Sequence, residues 1–548
     1  MFKPVFFAAL SLLATYFFNK LRYKRFRQYA HFPQLPPGLL MGHLKTFDDF
    51  TRRGKPDRHT DAIFADMIES LGSPSIMLVD LRPINAPVVV ITDYTTAEQV
   101  TRTTSLQPTS LPKTTLAYLE PLLGSTSILV SHGSEWKALR KQFNPGFSPQ
   151  HLMTLLPSIL KQSKPLMNHL DNLVAGNTDF SLVEYLTNLT FDIIGSLVID
   201  TDLCAQSEPG KRGELIQLFN EMMRTYSDEK SSLPWWIIPF KARKRSLVGA
   251  RMNELIQDLI RRKHAEQQQR GLNSERTSRS IMALSPQDTK ELSSELVSTI
   301  CDQIKTFLMA GHDTTSTSLA WIIYELSRTP RALSAVRTEL NELLGSDSDL
   351  KVVTSKLLST DGPHFVRGMK YISAVIKETL RLHPPAGTAR FGPPGDGFKV
   401  RTPEGDEYCL DGLTVYICQP LVHRDKSVFG ETAGEFRPER WLDGAVDGNT
   451  EGNFPAGAWR PFERGPRNCI GQEFANIELR VIIALIIRRY DFTKVGLGET
   501  SLDENGHPTL LPSGQYAVES EVYNTRQVTG KPVDGMRMKV KFASQTSG

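Results

Sequence analysis

The spacing of apolar residues changes along the chain, and each spacing predicts a different element. From Pro4 to Phe18 almost every position is apolar, and the run is closed by Lys20, Arg22, Lys24, Arg25 and Arg27. An apolar run ended by cations reads as a membrane anchor over residues 1–21. It is short against the roughly 20 residues of a bilayer span, but Met1 to Leu21 suffices if Lys3 and Lys20 extend toward water. The charge follows the run, and no small-residue cleavage site comes after it, which argues against a cleaved signal peptide. Basic residues stay on the cytoplasmic side, so the body is expected to face the cytosol; an interfacial amphipathic helix is the alternative to a span. Residues 22–40 are basic and then proline-rich, with Phe32-Pro33-Gln34-Leu35-Pro36-Pro37-Gly38. They read as a stiff hinge, because proline cannot continue a helix.

Between Pro74 and Thr92, Ile76-Met77-Leu78-Val79 and Val88-Val89-Val90-Ile91 flank Arg82-Pro83, the pattern of a hairpin. Helical periodicity runs from about Leu296 to Ser327, from Val375 to His383, where Pro384-Pro385 ends it, and from Phe474 to Ile487. Arg261 to Lys290 and Gly345 to Gly362 are rich in Ser and in Gln or Asp, and predict surface loops. A minor sheet near the N-terminal end and another after His383 complete the expectation. The fold class is mostly α with minor β-sheets, with residues 41–548 as a single large helical domain behind the anchor.

Composition adds limits. Forty per cent apolar and 23% charged residues describe a globular protein with a sizeable core. A net charge of +4 is too small to argue for a nucleic-acid partner. Cys204, Cys301, Cys409, Cys418 and Cys469 are odd in number and widely spaced, without a Cys-x-x-Cys pair. That speaks against a disulfide framework and suits a reducing compartment.

The candidate chemistry centres on Pro461-Phe462-Glu463-Arg464-Gly465-Pro466-Arg467-Asn468-Cys469-Ile470-Gly471. A cysteine in such a loop, directly ahead of a helix, lies against backbone N–H groups and the positive end of the helix dipole, which favours the thiolate. Gly465 and Gly471 permit tight bends, and Arg467 brings a cation able to pair with a carboxylate. A buried structural cysteine in a turn is the plainer alternative. The pattern Phe-x-x-Gly-x-Arg-x-Cys-x-Gly (Phe462, Gly465, Arg467, Cys469, Gly471) resembles the haem-binding loop of the cytochrome P-450 family.

Three further segments carry the resemblance. Glu378-Thr379-Leu380-Arg381 places Glu378 and Arg381 on one helix face. With Arg440 of Phe436-Arg437-Pro438-Glu439-Arg440-Trp441 they resemble the family's buried triad, which locks the cysteine loop. Leu308-Met309-Ala310-Gly311-His312-Asp313-Thr314-Thr315-Ser316 puts poor helix formers in mid-helix. It is similar to the oxygen-activating motif, which implies that Gly311 opens a groove and that Asp313 and Thr314 deliver protons to dioxygen. Trp136-Lys137-Ala138-Leu139-Arg140 resembles the Trp-x-x-x-Arg element whose members bond a haem propionate, and Arg390 falls where many members place another such arginine. Lys426 and Trp441 depart from the family's commoner wording, and His312, His383 and His423 read as structural.

The resemblance implies haem b held by an axial Cys469 thiolate and a monooxygenase inserting one atom of O2 into a small lipophilic substrate. Electrons would come from NADPH through a separate flavoprotein reductase, with Arg464 among the cations able to dock it. It further implies the endoplasmic reticulum membrane and resembles filamentous-fungal members of secondary metabolism. Fatty-acid or alkane hydroxylation is one alternative; a haem-thiolate isomerase, dehydratase or coupling enzyme and a non-catalytic haem sensor are others. Leu106 to Ile128, Phe307, Met309, Pro385 to Thr388 and Ser513 to Tyr516 are the expected pocket segments.

Overall fold

The β-branched runs Ile76–Val79 and Val88–Ile91 pair antiparallel, Ile76 opposite Ile91 and Val79 opposite Val88, as the hairpin pattern predicts. The computed structural model describes residues 2–114, 117–227, 233, 235–270, 292–442 and 454–544. Its described strands, in chain order, are β1 (Ile76–Val79), β2 (Val88–Ile91), β3 (Phe180–Ser181), β4 (Thr388–Phe391), β5 (Lys399–Arg401), β6 (Glu407–Cys409), β7 (Thr414–Ile417), β8 (Tyr490–Lys494) and β9 (Arg537–Phe542). Helices dominate, and the sheets are small.

The chain divides into two compact units. Met1–Thr115, Gly387–Val428 and Pro455–Arg467 form the first; Leu116–Ala386, Phe429–Phe454 and Asn468–Gly548 form the second. In the first unit, β7 pairs parallel with β2 and antiparallel with β4, giving one four-stranded sheet in the order β1-β2-β7-β4. A separate sheet is expected after His383; β4 and β7 instead join the N-terminal hairpin, while β5 and β6 pair with each other and β8 and β9 pair apart from the hairpin. Both sheet faces are covered. Ile76, Leu78, Val89 and Ile91 enter one apolar cluster, while Met77, Val79 and Val90 enter another. A sheet buried on both sides needs continuous apolar strands, and that demand explains the unbroken runs.

In the second unit the helix Ser294–Ser327 is the axis, its N-terminus capped by the Ser293 hydroxyl, which accepts from the Leu296 amide. Against it packs Leu182–Ile199, a helix long and apolar enough to cross a membrane but buried here in the core. The two backbones approach closely at Gly311, where an added Cβ would come 2.7 Å from Ile194. The sequence reading had Gly311 opening a groove; the missing side chain is in fact filled by Ile194. The polar residues of mid-helix also find partners on the neighbour: Thr190 Oγ1 donates to the His312 carbonyl at 2.8 Å, and Thr187 bonds Ser316 at 3.1 Å. β3, β9 and β8 form the second unit's sheet.

Two expected loops differ. Within Gly345 to Gly362 a helix forms over Leu350–Leu358, because Asp349 caps it by accepting from the Lys351 amide. Arg261 to Arg270 continues the helix Pro239–Arg270; residues 271–290 lie outside the described residues. The helices predicted near Val375 and Phe474 run Lys370–Leu382 and Gln472–Ile486.

Close packing at Gly311 yields a double-mutant prediction. Gly311→Ala lowers stability by about 1–3 kcal/mol through overpacking, and Ile194→Ala in the same chain recovers part of that loss. Urea midpoints of the two single variants and the double variant measure the coupling.

Candidate active site

Glu378 is fully buried and bonds on both oxygens. Arg381 donates from Nε to Oε2 at 2.9 Å and from Nη2 to Oε1 at 2.8 Å. Arg440 Nε and the Arg437 amide both reach Oε1 at 2.9 Å. The Trp441 indole N–H donates to Oε2 at 2.9 Å, a bond the commoner phenylalanine could not make. Two arginines around one carboxylate leave a positive excess, and main-chain oxygens take it up: Arg381 donates to the Ala433 and Glu435 carbonyls, and Arg440 to that of Thr432. Burial alone would raise the Glu378 carboxyl, but the Arg381 and Arg440 guanidinium groups outweigh it and hold the pKa below the ordinary range.

Cys469 is exposed, three residues ahead of the helix Gln472–Ile486. Its neighbour Asn468 is gripped by Arg140, whose Nη1 donates to the Asn468 carbonyl at 2.7 Å and Nη2 to its Oδ1 at 2.9 Å. Arg140 Nε donates to Asn144, so all three nitrogens are engaged, and Trp136 is buried one turn earlier on the same helix. In the helix that follows Cys469, Glu478 is fully buried, and burial pushes its carboxyl well above the usual range with only the Thr315 hydroxyl opposing. Sequence reading gave no sign of this buried carboxyl.

Halfway along Ser294–Ser327, Ala310 is exposed although the helix is buried on both sides of it, and Thr314, one turn on, is partly exposed. Thr314 Oγ1 donates to the Ala310 carbonyl at 2.8 Å. Asp313 is buried, and its partners come from the C-terminal segment. Thr529 Oγ1 donates to Oδ2 at 2.5 Å, and Lys531 Nζ lies 2.5 Å from Oδ1. Burial by itself raises the Asp313 carboxyl; the Lys531 ammonium, then His312 and the Thr529 hydrogen bond, bring it below the ordinary value. Sequence reading missed Thr529 and Lys531, which carry no local signal of their function. In the stretch Ser513 to Tyr516, expected to line the substrate pocket, the Tyr516 amide bonds the Arg328 carbonyl, about 27 Å along the helix beyond Ala310. Phe307, another expected pocket residue, packs edge-on against Phe143 and Phe147.

Arg390, Phe462 and Arg467 belong to the first unit. Arg390 is fully buried, donates from Nη1 to Ser110 Oγ and the Leu111 carbonyl, and lies 3.6 Å from Glu463. Its Nε has no acceptor among the described residues. Arg467 is buried, and Phe462 packs edge-on against Trp459. Gly465 has φ +75°, and a Cβ there would sit 1.9 Å from the Thr101 carbonyl oxygen, so no other residue fits. Arg464, expected to face a partner, donates to Glu98 at 2.9 Å.

The donor set of the second unit suits haem b: an exposed thiol before a helix for iron, and Trp136 and Arg140, one turn apart on a helix, for a carboxylate. A model of the cytochrome P-450 family matches residues 75–519, and the chain belongs to that family. It is an oxidoreductase of the P-450 type. It is 30% identical to the cytochrome P-450 monooxygenase acrF of Aspergillus aculeatus, covering 84% of this chain and 93% of that one. To the cytochrome P-450 monooxygenase polC of Polytolypa hystricis it is 29% identical, over 84% of this chain and 78% of that protein. A bifunctional cytochrome P-450/NADPH–P-450 reductase of Gibberella moniliformis is 32% identical over 57% of this chain and 26% of its own length.

The Asp313–Lys531 pair has a pH signature. A carboxyl whose folded pKa is depressed stabilises the fold above its unfolded pKa, and that stability is lost as pH falls through the folded value. Lys531→Met therefore costs about 3 kcal/mol at neutral pH, and the gap to the wild type closes as pH falls below about 4. Urea midpoints of both proteins across that range check it.

Proposed function

We propose that the chain is a membrane-attached haem-thiolate monooxygenase of the endoplasmic reticulum, acting on a small lipophilic substrate with electrons passed from NADPH by a separate flavoprotein reductase. The observation that carries this reading is Cys469, exposed at a helix N-terminus with Asn468 beside it held by Arg140. Haem bound through that thiolate supplies O–O cleavage and oxygen insertion. By the resemblance, Trp136, Arg140, Arg390 and Arg467 would be the donors to its propionates, and the Glu378–Arg381–Arg440 lock would keep the cysteine loop in place. Phe462 and Gly471 shape the loop around the ligand.

Thr314 holds a hydroxyl proton at the exposed point beside Ala310. Asp313 restores that proton after its carboxylate exchanges Lys531 for a water-borne proton, since a carboxylate paired to an ammonium is a poor donor. This acid–alcohol pair favours oxygen insertion over isomerisation or dehydration, which need no proton delivery to O2. The fungal cytochrome P-450 monooxygenases among the relatives support oxygen insertion; the substrate from fungal secondary metabolism, of polyketide, terpenoid or alkaloid type, rests on the resemblance of the sequence's wording. The reductase-fused relative supports an NADPH-dependent flavoprotein as donor. The N-terminal helix, with Val5 to Phe18 exposed and cations after it, supports attachment to the membrane.

The reduced, carbon-monoxide-treated protein is expected to show a strongly red-shifted Soret band that Cys469→Ser loses. A well-folded wild type without that band overturns the haem-thiolate reading. With reductase and a turned-over substrate, Thr314→Ala keeps consuming NADPH but releases peroxide at the expense of product; unchanged coupling would remove Thr314 from the proton path.

A further inference from the structure

The stretch from Tyr523 to Val533 is a loop closed on itself and fastened to the long helix of the second unit. The Val533 amide donates to the Tyr523 carbonyl at 3.0 Å. Thr525 donates twice to the Lys531 carbonyl, from its amide at 2.7 Å and from its hydroxyl at 3.0 Å. Thr529 and Lys531 both reach Asp313, which fixes where the loop sits. Two more bonds hold it there: Asn524 Oδ1 accepts from the Trp321 indole at 3.1 Å, and the Gly530 amide donates to the Pro385 carbonyl at 2.8 Å.

At the tip of this loop one polar side chain is left over. Gln527 turns its amide back to Thr525 Oγ1 at 3.0 Å, and the Thr529 hydroxyl is spent on Asp313. Arg526 is half-buried, and its Nε and Nη2 are shut off from water with no acceptor among the described residues. Asp313 is already matched by the Lys531 ammonium. A guanidinium stays charged when water is excluded, and donors withdrawn from water without an acceptor are costly. The unmet pair, Nε and Nη2, forms one side of a planar fork whose natural complement is the two oxygens of a carboxylate. The same two nitrogens of Arg381 hold the two oxygens of Glu378 in this unit.

The loop also brings that fork to the helix's open point. Arg526 is three residues from Thr529, so the two Cα atoms are at most about 11 Å apart. Thr529 touches Asp313, next to the partly exposed Thr314 and one turn from the exposed Ala310. A molecule whose acid end sat on Arg526 would lay its apolar remainder along Ala310 and Thr314. We propose that Arg526 is a specificity-determining residue whose Nε and Nη2 bind a substrate carboxylate, so that the substrate class is a lipophilic carboxylic acid. This rests on the monooxygenase reading given above and narrows its small lipophilic substrate to one with an anionic end.

The test is equilibrium dialysis of the purified full-length holoenzyme in detergent at neutral pH, against dodecanoic acid and separately against dodecanol, the same chain without the charge. The wild type is expected to bind the acid at least tenfold more tightly than the alcohol. In Arg526→Leu, and independently in Arg526→Gln, acid affinity falls about ten- to a hundredfold, the range for a hydrogen bond to a charged group, while alcohol affinity moves less than twofold. Circular dichroism shows which variants are folded, and either one serves. Equal binding of acid and alcohol by the wild type, binding of neither, or unchanged acid affinity in a folded variant overturns the role of Arg526. A folded variant that has lost the carbon-monoxide band assigns Arg526 to the haem instead and overturns it as well. A wild type without that band removes the monooxygenase reading itself, an outcome distinct from a haem-loaded enzyme with no preference for the acid.

Discussion

A buried charge has to be compensated where it stands, and the compensation of Glu378 is the constraint on which the second unit's chemistry depends. One carboxylate collects Arg381, Arg440, the Arg437 amide and the Trp441 indole. Removing any one donor would leave charge uncovered at zero exposure, so the helix Lys370–Leu382 and the Thr432–Trp441 segment are held in a single arrangement. Trp441 is part of this node rather than an indifferent substitution, since its N–H fills a lone pair that a phenylalanine would leave empty.

The same rule governs the long helix. Gly311, Asp313 and Thr314 interrupt an apolar sequence, and each departure has a physical outlet. The glycine admits Ile194, the threonine turns its hydroxyl to the Ala310 carbonyl, and the aspartate finds Thr529 and Lys531 from the far end of the chain. The Lys531 ammonium thereby draws the buried Asp313 carboxyl below its ordinary pKa, while burial pushes Glu478, on the helix behind Cys469, well above it. Two buried carboxyls in one unit are thus shifted in opposite directions according to their partners.

In the first unit the pressure is on backbone. Gly465 and Gly42 occupy left-handed positions with a carbonyl where a side chain would go, one in the cysteine loop and one in the turn beneath the N-terminal helix. The turn is further held by buried Arg25, which donates to the Leu39 and Leu40 carbonyls, and buried Arg390, which donates to the Leu111 carbonyl, lies 3.6 Å from Glu463 of the cysteine loop. Arginine suits this work because its fork of donors is planar and its charge persists when water is excluded.

What the sequence determined by itself was local: the apolar N-terminal run, the hairpin at Ile76 and Val88, the long helix, and the cysteine loop with the family it signals. Periodicity, proline stops and turn residues act over a few positions, and a motif of fixed spacing can be read without knowing what lies opposite. Only the tertiary structure decided that β7 joins the N-terminal hairpin, that Lys531 reaches Asp313 in mid-helix, that Arg140 grips Asn468, and that Arg25 is buried beside Asp80. Each of these joins residues far apart in the chain, where spacing carries no information and the partner is selected by burial and charge compensation in the folded molecule.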